Sequence, residues 1–152
     1  MRLLRAHFEN FRLLRDLELD FSGDPARKLT VIRAANETGK TTILHALQWC
    51  LYGDAALPNK GVDFRLHPID WDTSSSGRVP ITATVEFEVT KHNRIQGGLR
   101  ESRKKYRIIR SAFEDLEGTS WTRAVSTVRL YALHGSGAEP IDAPEALINE
   151  EL

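Results

Sequence analysis

Two periodicities divide the chain. Arg2 to Phe8 reads as a strand, and from Leu13 to Phe21 apolar and polar residues follow the two-residue period of a half-buried one. In the second stretch Leu13, Arg15, Leu17, Leu19 and Phe21 share one face, and Leu14, Asp16, Glu18 and Asp20 the other. Asn10 is placed to turn the chain between the two. Ser22-Gly23-Asp24-Pro25 is a turn cluster. Leu29 to Arg33 (LTVIR) is short, β-branched and apolar, which predicts a central strand. From Lys40 the period changes. Ile43, Ala46, Leu47, Cys50 and Leu51 fall at helical spacing, Leu44 and Trp49 add apolar surface on other sides, and Gly53 is placed to end the helix. The pattern predicts a helix buried on most of its surface.

Residues 54–79 are rich in loop formers: Pro58, Gly61, Pro68, the Thr73-Ser74-Ser75-Ser76 run and Gly77. Ile81 to Val89 then alternates clearly, and Lys104 to Arg110 is a second candidate strand with Tyr106 and Ile108 facing the same way. With Gly97-Gly98 in the connection, 81–110 reads as an antiparallel hairpin with a long basic loop. Thr127 to Leu133 predicts a further strand, closed by Gly135-Ser136-Gly137. Asp142 is placed to cap a helix over 143–152, with Pro144 and Glu145 in its first turn.

Between the apolar LTVIR stretch and the helix lies Ala34-Ala35-Asn36-Glu37-Thr38-Gly39-Lys40-Thr41-Thr42. The spacing is small-x-x-x-x-Gly-Lys-Thr, the phosphate-cradling loop. Each part has a mechanical reason. Successive backbone N–H groups point inward at a β-phosphate. Gly39 has no side chain to block that approach. Lys40 brings positive charge to the β- and γ-phosphates. The Thr41 hydroxyl suits Mg²⁺, a hard ion that takes oxygen ligands. The helix start adds its positive dipole end. Ala34 stands where glycine is usual, which is tolerable if its backbone stays at negative φ.

Several stretches, in order, resemble the start of an SMC-like ATPase head, a superfamily of the ABC-type ATPases that includes the SbcC and RecN repair proteins. They are Phe8-Glu9-Asn10-Phe11-Arg12, then Leu17-Glu18-Leu19-Asp20-Phe21, then the phosphate loop, then the apolar helix ending Leu51-Tyr52-Gly53, and later VEFEV and KYRIIR. The helix end Trp49-Cys50-Leu51-Tyr52-Gly53 and the tail Ala146 to Leu152 are most similar to the DNA phosphorothioation ATPases. The resemblance implies an α/β fold: the N-terminal lobe of a P-loop ABC ATPase, with a mixed β-sheet around the P-loop helix and an antiparallel β-subdomain. Its parts would be a P-loop core over 1–53, a loop over 54–79, antiparallel β over 81–133 and a C-terminal helix over 143–152. It implies ATP and Mg²⁺ as cofactors, with nucleotide contacts from Ala34, Asn36, Glu37, Thr38, Gly39, Lys40, Thr41 and Thr42. Arg12 matches an arginine that such heads set against the nucleotide; a solvent-facing charge at a strand end is the plain alternative. Heads of this kind pair around ATP as homodimers on DNA, and work with nuclease or DNA-modification proteins. Neither the signature nor the paired-acid motif that such heads need is visible in this sequence. The expectation is therefore an N-terminal lobe that relies on a C-terminal lobe of the same protein and turns over ATP poorly alone. A non-hydrolysing, nucleotide-dependent assembly module is the alternative.

Composition refines this little except in one place. Lys and Arg balance Asp and Glu at 21 each, so net charge names no partner. Residues 91–110, however, hold eight cations (Lys91, Arg94, Arg100, Arg103, Lys104, Lys105, Arg107, Arg110) against Glu101 alone. Arg94, Arg100, Arg103, Lys104 and Lys105 are candidate contacts to DNA phosphate, against the plain reading of a solvated charged loop. The single cysteine, Cys50, excludes an internal disulfide, fits a reducing cytoplasm and reads as a small buried hydrophobe. No apolar segment is long enough to span a membrane. His7, His45, His67, His92 and His134 have no metal-ligand spacing. Trp71 and Trp121 read as packing residues.

Overall fold

The computed structural model describes residues 1–24, 26, 29–61, 63–74, 76–95, 98–135 and 137–151, with the backbone alone at 60, 61, 93–95, 98, 99, 147 and 149–151. Pro25, Ser75, Gly97, Ser136, Leu152 and the Arg94 side chain lie outside the described residues.

Seven strands form one sheet: β1 (Arg2–Phe11), β2 (Leu14–Asp20), β3 (Arg78–Ile95), β4 (Gly98–Glu117), β5 (Ser120–Arg123), β6 (Thr127–His134) and β7 (Gly137–Ile141). Their order is β2-β1-β3-β4-β6-β7, with β5 paired to β4. Every pairing among the described residues is antiparallel. The expected mixed sheet is thus an antiparallel one. Among the described residues two α-helices complete the fold, α1 (Lys40–Tyr52) and α2 (Pro144–Glu151).

The period-two pattern puts one face of this sheet inside. Val79, Ile81, Ala83, Val85, Phe87 and Val89 of β3 are all buried, as are Tyr106, Ile108 and Ala112 of β4 opposite them. Helix α1 covers that face: Ala46, Trp49 and Cys50 are fully buried, and the Trp49 ring lies 5.6 Å from that of Phe11. The Cys50 thiol donates to the Ala83 carbonyl at 3.2 Å. The other face carries cross-strand ion pairs, exposed from Arg5 to Asp20 and Glu18, part-buried from Arg107 to Glu86, and from Arg2 to the buried Glu88.

Four expectations need correcting. Residues 29–33 form no strand; Leu29 is 77%, Val31 63% and Ile32 40% exposed. A strand apolar on both faces needs a hydrogen-bonded neighbour on each side, and none of the described strands pairs with this segment. Second, Leu14 rather than Leu13 is buried. Asn10 sits inside β1 at φ 54, not at the turn, and so flips Phe11 onto the face of Ala6 and Phe8. Leu14 pairs with Phe11 and follows it inward, while the turn falls at Arg12 and Leu13. Third, the basic connection is not a loop. Strands β3 and β4 stay paired out to Ile95 and Gly98, as a ribbon beyond the rest of the sheet. Fourth, Leu44 on α1 is 53% exposed, so the helix is less enclosed than its composition predicts.

Candidate nucleotide site

The phosphate loop turns back on itself before α1. Glu37 at φ 65 and Gly39 at φ 102 are left-handed, and alternating backbone hands turn successive N–H groups to one side. Ala34 is not among the positive-φ residues, so its methyl group is compatible with the loop. Among the described residues no acceptor takes the main-chain N–H of Asn36 through Thr42. Thr38 Oγ1 braces the loop by donating to the Ala35 carbonyl at 2.7 Å. The Lys40 ammonium reaches back across it, donating to Ala34 O at 2.8 Å and Ala35 O at 2.5 Å. The first α1 hydrogen bond runs from Ile43 N to Gly39 O at 2.9 Å.

Leu13, Asn36, Glu37, Gly39, Lys40, Thr41 and Thr42 line a cavity of about 270 Å³ at this helix start. A Cβ on Gly39 would stand 3.4 Å from Leu14 Cδ2 and 3.6 Å from Leu13 Cβ, so the β1–β2 turn seats the loop from behind. Unclaimed amides, an exposed threonine hydroxyl at position 41 and one lysine at a helix N-terminus are the donor and ligand set that a polyphosphate with Mg²⁺ takes. The residues present fit that group. Ala34 and Thr38 contribute to the loop's shape; Thr42 is buried under it.

Arg12 lies beside this cavity rather than in it. At φ 52 its own N–H donates to Leu66 O at 2.6 Å, and its guanidinium donates to Arg65 O while lying 4.7 Å from the centre of the Phe64 ring. It lines a second cavity, of about 360 Å³, with Leu13, Asp63, Arg65, His67 and Ile69. Leu13 borders both. His45 of α1 meets Phe64 edge-on at 5.3 Å, and burial, then the Arg12 charge, lowers its pKa.

The loop carrying residues 64–67 is held by a buried network that the sequence pattern did not single out. The Glu114 carboxylate accepts from Leu66 N at 3.0 Å, His67 N at 2.9 Å, His67 Nδ1 at 2.5 Å and Arg123 Nη1 at 3.2 Å. Arg123 also donates to Phe64 O at 2.7 Å, and the Trp121 ring lies 4.0 Å from that of His67. The one available signal was parity: Tyr106, Ile108, Arg110, Ala112 and Glu114 occupy the buried face of β4, so two of its inward positions are charged.

The basic residues do not gather into one patch. Arg100, Arg103, Lys104 and Lys105 are exposed on the ribbon. Strand alternation, however, puts Arg100 and Lys104 on one face and Arg103 and Lys105 on the other. Arg103 is ion-paired with Glu101, and Arg107 with Glu86 at 2.7 Å. Arg110 points inward, donating to Cys50 O at 3.1 Å near the end of α1, and burial lowers its pKa.

No helix among the described residues is long and apolar enough to cross a membrane. No curated protein matches the chain. A family model described as an AAA domain matches residues 5–133, which takes in the phosphate loop, α1 and the sheet through β6. That span, with a phosphate loop built as described, makes this chain a member of the AAA-domain family of P-loop ATPases.

Proposed function

We propose that the chain is the nucleotide-binding lobe of an SMC-like ATPase head, and that the complete protein couples ATP binding and hydrolysis to DNA modification, restriction or repair. The observation that carries the reading is the loop itself: free amides from Asn36 to Thr42 around Gly39, with Lys40 folded over them at the start of α1. The amides cradle the β-phosphate, and Lys40 exchanges two loop carbonyls for phosphate oxygens. The Thr41 hydroxyl would hold Mg²⁺, which would supply further positive charge against the β- and γ-phosphates. The γ-phosphoryl group passes to water, and these donors stabilise charge on its oxygens in the transition state.

The exposed Leu29, Val31, Ile32 and Leu44 beside the loop support the second part of the reading. Such apolar surface is covered in a working protein. A C-terminal lobe of the same protein, adding strands beside residues 29–33, is the cover the family resemblance offers. Head-to-head pairing of two such heads on DNA, with nuclease or modification partners, belongs to the same proposal.

Lys40→Ala in the full-length protein tests it. ATP hydrolysis and DNA processing are expected to fall to background while the protein stays folded. Retained hydrolysis would overturn the assignment of the loop. Loss of hydrolysis with assembly intact and still ATP-dependent would favour the assembly-module alternative.

A further inference from the structure

The second cavity offers a polar group with a fixed role. Four N–H groups converge on the buried Glu114 carboxylate, which serves them only as acceptor. Glu114 therefore holds the His67 proton on Nδ1, and in the neutral ring leaves Nε2 as a lone-pair acceptor. Among the described residues nothing bonds Nε2, and it is not among the fully enclosed polar atoms that lack a partner. The His67 side chain is only 2% exposed, so the free space it meets is the cavity it lines with Arg12. Trp121 stacked at 4.0 Å fixes the ring plane.

This cavity shares Leu13 with the phosphate loop, so a nucleotide held there by its phosphates has this space within reach of its other end. The lining joins apolar Leu13 and Ile69 to the charged Arg12, Arg65 and Asp63, with His67 as its one buried acceptor, held in place by Glu114. That set suits a flat heterocycle bearing an N–H donor. Resting on the nucleotide reading above, we propose that His67 is a specificity-determining residue that accepts a hydrogen bond from the exocyclic amine of the base, with Glu114 as its positioning residue.

ATP and ITP separate this cleanly, because ITP replaces the amine with a carbonyl, an acceptor facing an acceptor. Displacement of a fluorescent ATP analogue should show ATP preferred by about 3- to 10-fold, the worth of one neutral hydrogen bond. His67→Asn keeps a donor for Glu114 in the place of Nδ1 but has no counterpart of Nε2. The preference should shrink to within about twofold. His67→Gln, with an amide near the Nε2 position, should restore part of it. The ratio within one variant does not depend on the fraction folded. Equal binding of ATP and ITP by the parent chain, or an undiminished preference in His67→Asn, overturns the proposal. So does a loss in 2′-deoxy-ATP alone, which would place the contact on the sugar. Lys40→Ala should weaken ATP and ITP alike; if it weakens neither, the nucleotide reading itself has failed, and this one with it.

Discussion

Gly39→Ala puts the phosphate loop to its sharpest physical test. Gly39 sits at φ 102 and ψ 12, and a Cβ there is strained whatever the free space. The space itself is adequate, since the nearest atoms stand at 3.4 and 3.6 Å. The penalty is therefore conformational, about 1–3 kcal/mol. Gly39 is buried, but residues 34–38, 40 and 41 around it are exposed and can relax locally to escape the strain, so global stability should change little, by under about 3 °C in Tm. The relaxed loop, however, no longer aims its amides inward, and binding must then restore the strained shape. That converts 1–3 kcal/mol into an ATP affinity weaker by about 5- to 150-fold. Gly118→Ala is the matched control: Gly118 has φ 64 with nothing within 4 Å, and lies in the β4–β5 turn. It should lower the melting temperature by a few degrees and leave affinity alone. Calorimetric titration with Mg-ATP, beside thermal melts of both variants, reads the two quantities. Parent-like affinity in Gly39→Ala, or equal weakening in Gly118→Ala, would refute the claim that these amides form the phosphate cradle.

Three further outcomes follow from the geometry. Glu114→Leu leaves His67 Nδ1 and two main-chain amides without their acceptor and removes one of the acceptors of Arg123, and should lower unfolding free energy by roughly 3–5 kcal/mol; an unchanged urea midpoint would contradict the network. The Cys50 thiol is pushed by burial from 9.0 to about 12, so the fold holds its proton where the unfolded chain releases it. Its contribution is whole below about pH 9 and is lost as pH rises toward 12, at about 1.4 kcal/mol per unit; a Cys50→Ala variant should show a shallower alkaline decline in urea midpoint, and identical slopes would contradict the burial. If the DNA contact proposed for the complete protein runs through the ribbon, only one of its faces can lie against a duplex. Of the paired variants Arg100→Gln with Lys104→Gln and Arg103→Gln with Lys105→Gln, one should reduce the salt slope of DNA binding by about 2 and the other by almost nothing; equal effects would argue against a single docking face.

Much of this molecule is legible in the sequence because the strongest local signals coincide with the deepest burial. The 81–89 alternation is the central strand, and the helix opening at Lys40 and closing at Gly53 is where the spacing puts it. The loop was readable because glycine, lysine and threonine each have a local mechanical reason to be there. What stayed hidden depends on distant partners. LTVIR has the composition of a central strand, yet composition does not supply neighbours. The strand β7 carries Pro140, which removes a ladder donor and conceals an edge strand. His67 and Glu114 lie 47 residues apart and meet only because β4 runs seven residues beyond Arg110, the end of the strand that the sequence predicts.

That extension of β4 is also what joins the sheet to the site. Glu114 and Arg123 fix residues 64–67 against β4 and β5. Leu66 O and Arg65 O then hold Arg12 in its left-handed turn. Arg12 carries Leu13 and Leu14 to the back of Gly39. The loop owes its seat to this chain of contacts more than to its own residues, since Thr38 and Lys40 brace it only from within. A chain of single contacts transmits a fault from either end. Loss of Glu114 should therefore loosen the Arg12 turn as well as the core, and affinity for ATP should fall in that variant even under conditions where it remains fully folded.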